Sequence, residues 1–340
     1  MNSFIQTTLI SLSVGLLIWT AIPDQKNSRS EAGILADQVS GDTYVINLDP
    51  STCQVDIAAQ LGKGSIYKEK IKQKEGKRTI SINGVASHKV GAFPNNGNPN
   101  TITEHEQTFS IPLQPRLAKR KTSAQGYDTG VLFSGVSIDP FTAEFFIGTD
   151  GRMNREWNIT TLTTTENLGL DCNNAHVQPT GKYHYHGTPS AYLDELEVDG
   201  SSMQKVGYSA DGFPIYYKYG YDSDGNIVAH ESGYTLKKGA RKGDGKTAPD
   251  GLYNGRYFND YEYLAGQSEL DECNGRWGKT PESENEYYYV ITDNFPSVPL
   301  CFMGSPSSDF QKRRGGGGPR GRGGRPPHPP RNGQGPPPRG

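Results

Sequence analysis

Short runs of alternating apolar and polar residues, each bounded by turn residues, constrain the fold of this chain more than any other feature. Helical periodicity is scarce outside residues 191–197, which predict a short helix. Asn-Gly and Asp-Gly pairs at 83–84, 150–151 and 211–212 are typical of tight turns between strands. The predicted strands are 43–48, 78–82, 107–113, 130–138, 144–148, 156–164, 182–186, 215–218 and 286–292. The pattern predicts a mostly β fold, a sandwich- or barrel-like domain with long loops.

The N-terminal residues 1–21 contain the one long apolar stretch of the chain. Its dense part, 9–19, has the length of a signal-peptide core, and Thr20 and Ala21 supply small residues near a cleavage point. No lysine or arginine precedes it, so an uncleaved N-terminal anchor stays as the alternative. Residues 22–40 predict a linker. We therefore expect a secreted or cell-envelope protein, periplasmic or extracellular.

The C-terminal residues 312–340 are rich in glycine, proline and arginine, and they include eight basic residues and no acidic one. Such a segment buries too little apolar surface to offset the entropy cost of ordering, so the sequence predicts a disordered basic tail. In an exported protein, its charges would attract an anionic polysaccharide or a membrane surface.

The rest of the chain is acidic. The whole chain has 35 basic and 37 acidic residues, so setting aside the eight basic residues of the tail leaves 27 against 37, a net charge of −10. Nucleic-acid binding requires clustered lysine and arginine, so no nucleic-acid partner is expected for the β-rich body, 41–311. A single apolar run also excludes a multi-span membrane protein.

Four cysteines, all beyond the predicted signal segment, indicate two disulfides in an exported chain. None forms a Cys-x-x-Cys pair, which argues against a four-cysteine zinc site. Three connectivities are possible. The short, strand-rich interval between Cys273 and Cys301 favours a bond between them, which leaves Cys53 with Cys172. Buried reduced thiols are the alternative if the chain is not exported.

Segment 170–189, LDCNNAHVQPTGKYHYHGTP, carries the residues best suited to chemistry. On a strand, successive side chains point to opposite faces. His184 and His186 therefore share one face, close enough to bind one ion. Tyr183 and Tyr185 point the other way, into a core or a partner sheet.

A third imidazole can join this pair. Residues 179–181, Pro-Thr-Gly, predict a turn that folds His176 back beside the strand. Three neutral imidazoles suit a transition metal, with zinc or copper expected first. An acidic partner would come from Asp171 or Asp211, and the predicted metal set includes Asp211. Three protein ligands leave an open position for water or substrate.

Two other roles for these histidines stay open. They can form a structural ladder with the tyrosines and satisfy backbone carbonyls, or they can act in acid–base chemistry without a metal. The sequence does not decide whether the chain is an enzyme, nor does it give a substrate or a reaction.

The string Tyr183-His184-Tyr185-His186 is accompanied by further motifs in a fixed order. They are NAHVQP at 174–179, GTP at 187–189, GYSADGFPIY at 207–216, LDECNG at 270–275, and FP followed by CF between 295 and 302. This set resembles the YHYH-motif protein family over about residues 125–305. The resemblance implies an exported or cell-envelope domain and carries no established activity.

The chain also contains an internal echo of this segment. LDECNGRWGKTPESENEYYYV, from residue 270, is similar to the segment that starts at residue 170. Aligning Tyr183 with Tyr287 places Tyr288 and Val290 at the positions of the two strand histidines, and Arg276 near the position of His176. The second copy therefore lacks both strand imidazoles. It can add a carboxylate to the first site, or it can be a purely structural duplication.

Two functions follow from these features. The first is an exported protein with a transition-metal site at His176, His184 and His186, acting as an enzyme or a metal carrier. The alternative is a non-enzymatic binding module of the cell envelope or extracellular matrix. In that case the tyrosine run 287–289 and the basic tail would engage polysaccharide.

Overall fold

The computed structural model describes residues 43–312, which form many short strands, two short helices and long connecting loops. The predicted signal peptide or anchor, the predicted linker and residues 313–340 of the predicted tail lie outside the described residues. The residues that are described all belong to one unit of the chain. Within 43–312, no helix has the length and apolar character needed to cross a bilayer.

The elements are short and follow one another closely along the chain. The strands are β1 (Tyr67–Lys72), β2 (Lys77–Ile82), β3 (Gln107–Pro112), β4 (Thr122–Ser123), β5 (Gly130–Leu132), β6 (Ser137–Ile138), β7 (Phe145–Ile147), β8 (Met153–Asn158), β9 (Ala175–Val177), β10 (Tyr183–Tyr185), β11 (Lys205–Ser209), β12 (Pro214–Tyr217), β13 (Tyr219–Tyr221), β14 (Ile227–Ala229), β15 (Tyr234–Leu236), β16 (Tyr261–Tyr263), β17 (Gly275–Gly278), β18 (Glu286–Ile291) and β19 (Cys301–Phe302). The helices are α1 (Ile57–Leu61) and α2 (Ser190–Glu195), with 3₁₀ turns at Pro50–Thr52, Gln73–Glu75, Phe258–Asp260 and Ser308–Phe310.

The strands confirm the predicted mostly β class. The largest sheet has eight strands in the order β17-β18-β12-β11-β5-β6-β10-β9, and it is open rather than closed into a barrel. A three-stranded sheet, β1-β2-β3, and four two-stranded sheets accompany it within 43–312. Helix α2 matches the predicted short helix.

Three predicted strands differ from the structure. The run 130–138 is a hairpin of β5 and β6, because the chain reverses at Gly135, whose φ is 81°. In that conformation a glycine is favoured over any other residue. The run 43–48 makes only an isolated bridge, between Tyr44 and Thr163, and the run 156–164 leaves its sheet after Asn158.

The eight-stranded sheet consists of two halves with the same plan. The first half is β5, β6, β10 and β9, and the second is β11, β12, β18 and β17. In each half an antiparallel pair (β5–β6, β11–β12) continues through a parallel pair (β6–β10, β12–β18) to an outer hairpin. The halves meet where β5 and β11 pair antiparallel, with Val131 opposite Tyr208. The sheet therefore has approximate two-fold symmetry, and the two segments of the internal sequence echo occupy equivalent outer hairpins.

The two faces of this sheet are covered differently. One face buries Ile138, Tyr185, Ile215 and Tyr289 in a single apolar cluster. The opposite face packs on the three-stranded sheet near its centre and buries a smaller apolar cluster at the end of the second half. At the end of the first half, this opposite face carries the polar side chains of β6, β9 and β10. We call this region the polar end of the sheet.

Both predicted disulfides are present. Cys53 is bonded to Cys172 across a separation of 119 residues, and Cys273 to Cys301 across 28 residues. Each bond attaches the loop before an outer hairpin, β9–β10 or β17–β18, to a distant part of the chain. The two half-sheets are therefore fixed in the same way.

Candidate metal centre

The β9–β10 hairpin brings the three histidines to one face. His184 on β10 lies opposite His176 on β9, and His186 follows two residues later on the same side. The turn between the strands is closed by Gln178, which donates its N–H to the Lys182 carbonyl. It requires Gly181, whose φ is 87° and where a Cβ would lie 2.0 Å from Thr103 Oγ1. The predicted turn and the predicted shared face are thus both observed.

The two tyrosines of the motif anchor β10 from the opposite face. The Tyr183 hydroxyl donates to Asp171 Oδ2 at 2.6 Å. The Tyr185 hydroxyl lies 2.5 Å from His88 Nε2 and 2.7 Å from Ser134 Oγ. Both tyrosines are buried and hydrogen-bonded, so strand β10, which carries them, has little freedom to rotate about its axis. The backbone of His184 and His186 is therefore held in place before any ligand arrives.

The three imidazoles surround a common point. The ring centroids lie 4.9 Å apart for His176 and His184, 4.7 Å for His176 and His186, and 4.6 Å for His184 and His186. One nitrogen from each ring lies within 4.8 Å of the others. His184 and His186 are buried, and His176 is partly exposed. Within residues 43–312, this is the one group of three or more histidine, cysteine or acidic side chains with metal-binding spacing.

Hydrogen bonds fix the tautomer of two rings. His176 Nδ1 lies 2.9 Å from the Leu168 carbonyl, and His184 Nδ1 lies 3.3 Å from the Lys182 carbonyl. A carbonyl oxygen can only accept, so each Nδ1 carries the proton. The Nε2 atoms of both rings are then unprotonated and available to a metal. This is the backbone support that metal-binding histidines usually have.

The third ring is incompletely satisfied without a metal. His186 Nε2 lies 3.1 Å from His176 Nε2, and because His176 Nε2 is unprotonated, His186 Nε2 must be the donor when no ion is bound. His186 Nδ1 is buried and makes no hydrogen bond of normal geometry, although the Pro140 carbonyl is near enough to favour a proton on the ring. A metal on Nε2 would leave the proton of the neutral ring on Nδ1. Tetrahedral zinc separates its ligand nitrogens by about 3.3 Å, close to the spacing of the His176–His186 pair.

Burial keeps these rings neutral. Burial excludes water from the rings and so disfavours their protonated form. It lowers the pKa of His176 and holds the pKa of His184 and of His186 well below the usual value. The neighbouring imidazoles lower the pKa of His184 and His186 further, because two protonated rings would repel each other. A metal therefore displaces no proton from the rings at neutral pH, and the donor set fits a transition metal.

The two carboxylates considered as partners are engaged elsewhere. Asp211 lies in the turn between β11 and β12, where Oδ2 accepts from the Tyr289 hydroxyl at 2.7 Å and from the Gly304 N–H at 2.8 Å. Asp171 accepts from Tyr183 on the face away from the histidines. Neither belongs to the three-histidine group. Each aspartate attaches its own loop to a tyrosine on a strand, Asp171 to Tyr183 on β10 and Asp211 to Tyr289 on β18.

The second half of the sheet repeats this framework without the imidazoles. Tyr287 donates to Asp271 at 2.8 Å, as Tyr183 does to Asp171. Arg276 on β17 lies opposite Tyr288 on β18, in the register that His176 and His184 have in the first half. The Arg276 guanidinium pairs with Glu269 at 2.5 Å. The second copy is thus a structural duplicate, with a cation of its own where the first copy gathers imidazoles.

Two cavities lie beside the histidines. The larger has a volume of about 250 Å³ and is lined by Asn47, three threonines (Thr161, Thr163, Thr164) and the loop that contains Leu168. The smaller, about 10 Å³, is lined by His186, Pro140 and the aromatic rings of Phe258 and Phe295. The smaller cavity has room for about one water molecule.

The fold and the site define a mostly β protein with a largely buried three-histidine group at one edge of a duplicated sheet. A family model described as "YHYH protein" matches residues 108–304, more than half of the chain. The chain belongs to the YHYH protein family, which confirms the resemblance seen in the sequence. No curated protein matches the chain. No solved structure matches it either.

Proposed function

We propose that this YHYH-family chain is an exported protein that binds one transition metal ion, zinc or copper, through Nε2 of His176, His184 and His186. One observation carries the proposal: the three neutral rings converge while the two Nδ1–H groups of His176 and His184 are already bonded to carbonyls. Three protein ligands leave one position open, where a bound metal would polarise and acidify a water molecule.

Export is supported by the two disulfides, because such bonds persist mainly in oxidising compartments. The predicted signal segment agrees with this, although it lies outside the described residues. Each buried tyrosine of the run 287–289 is at most 2% exposed, so these rings are not presented to a polysaccharide in this structure. The basic tail as a polysaccharide- or membrane-binding segment stays a prediction.

Metal content of the purified, tag-free chain tests the proposal. After incubation with zinc or copper and gel filtration, we expect about one equivalent of metal per wild-type chain by elemental analysis. The His184→Ala/His186→Ala variant should retain none, because a single imidazole cannot hold the ion against exchange. His230→Ala is a matched control, since its ring bonds Arg276 in the half of the sheet without the three histidines. A wild type without stoichiometric metal, or a double variant that keeps it, would refute the assignment.

A further inference from the structure

The polar end of the sheet contains more than the three histidines. Strand β6 runs parallel to β10, with Ser137 opposite His184 and Ile138 opposite Tyr185. Ile138 and Tyr185 both enter the apolar cluster on the far face. Ser137 and Asp139, on either side of Ile138, therefore share the face of His184 and His186. Adjacent strands are about 4.8 Å apart, so these side chains border the metal site.

Two atoms in this region lack partners. Ser137 Oγ is buried, in a residue that is 1% exposed, and makes no hydrogen bond. Asp128 Oδ1, just before β5, is also buried without a partner. Buried polar atoms in folded proteins nearly always have one, so orphaned atoms indicate a missing water, ion or ligand. Together with His186 Nδ1, these atoms mark one incompletely filled polar region.

Two lysines bring positive charge to the same region. Lys312 pairs with Asp139, and Lys182 pairs with Asp128. Asp139 lies on the face of His184 and His186, so its bond with Lys312 places the ammonium at the same end of the sheet. Of the two, Lys312 is the more exposed, at 30% of its side chain against 11% for Lys182. Its ammonium has three N–H donors, of which Asp139 takes one.

The charges of these groups determine which ligand would bind at the fourth coordination position of the metal. Each buried acid is already neutralised by its lysine, and the three imidazoles are neutral. A divalent metal would therefore bring two uncompensated positive charges into a site with little water. An anionic oxygen ligand on the metal would offset this positive charge. The N–H groups of Lys312 that Asp139 does not use, together with the Ser137 hydroxyl, can donate to such a ligand. The tight enclosure of His184 and His186 restricts that ligand to a few atoms.

Resting on the metal site proposed above, we infer that the open position takes a small carboxylate or similar monoanionic oxygen ligand, selected by Lys312 and Ser137. Lys312 contacts the ligand's second oxygen, and Asp139 is the positioning residue that holds the ammonium over the site. Formate is the simplest probe of this class, since it has one carboxylate and no side chain.

Formate titration of the cobalt-substituted full-length chain tests the inference, because visible absorption of cobalt reports exchange of its fourth ligand. We expect wild type to bind formate, and Lys312→Met to raise the formate dissociation constant at least tenfold while cobalt stoichiometry stays at one. Lys312→Arg should restore much of the affinity. Ser137→Ala should weaken formate severalfold. Lys63→Met is the matched control, because Lys63 pairs with Glu104 away from the histidines.

The outcomes separate this inference from the metal site itself. One equivalent of bound cobalt whose spectrum does not respond to formate overturns the anion site alone. So does a Lys312→Met variant that binds formate as wild type does. A wild type that binds no cobalt overturns the metal assignment as well.

Discussion

Zinc at a thousand times its dissociation constant will raise the free energy of unfolding of the wild-type chain by about 4 kcal/mol. The gain arises because the folded chain presents three converging imidazoles and the unfolded chain does not. Urea unfolding followed by circular dichroism, with zinc and with a chelator, measures it. The His184→Ala/His186→Ala variant should show no such gain, whatever its stability without metal.

Comparing each protein with and without zinc removes the packing effect of the substitutions. His230→Ala should gain as much stability from zinc as wild type does. An unchanged unfolding midpoint of wild type, or an equal gain in the double variant, would show that the three histidines are not the binding site.

Loss of the Cys53–Cys172 disulfide will lower the free energy of unfolding by about 4–5 kcal/mol, because the bond spans 119 residues and its removal returns that entropy to the unfolded chain. The change is Cys53→Ala/Cys172→Ala, measured by denaturant unfolding. The bond also attaches the loop of Asp171, which anchors Tyr183 beneath the histidines. We therefore expect weaker zinc binding in the same variant.

The second disulfide provides the comparison. Cys273→Ala/Cys301→Ala opens a separation of only 28 residues, so the expected loss is about 3.5 kcal/mol. That variant should keep its zinc affinity, since its loop supports the half of the sheet without imidazoles. The opposite order of stabilities, or equal effects on zinc binding, would contradict this account of the two bonds.

The local sequence pattern was sufficient to predict that the three histidines lie together. Alternation along β10 places His184 and His186 on one face, and the Pro-Thr-Gly turn returns His176 to them, as the register of β9 and β10 shows. The internal echo predicted correctly that Tyr287 corresponds to Tyr183, because both hydroxyls bond an aspartate in the same loop. These relations depend on neighbours close in sequence.

The residues that sequence reasoning missed come from distant parts of the chain. Ser137 and Asp139 share the histidine face because β6 pairs with β10, and Lys312 reaches that face by pairing with Asp139. Strand order within a sheet is not encoded in the local pattern. For the same reason Asp211, which is near the motifs in sequence, is held in another turn.

Comparison of the two halves of the sheet shows why only the first half contains the three-histidine group. Asn174 and Asn274 both have a positive φ, 51° and 60°. The backbone carbonyl of Asn174 accepts from the His186 N–H, and that of Asn274 accepts from the Val290 N–H. The backbone is therefore equivalent in the two halves. The difference lies in side chains at three positions, where the second half has Arg276, Tyr288 and Val290.

Anomalous X-ray diffraction from crystals of the zinc-loaded chain tests the central claim most directly. We expect a single strong peak about 2.0–2.1 Å from Nε2 of His176, His184 and His186. The Nδ1 atoms of His176 and His184 should keep their bonds to the Leu168 and Lys182 carbonyls. A peak elsewhere in the chain, or zinc bound through Nδ1 with those carbonyl bonds broken, would contradict the account.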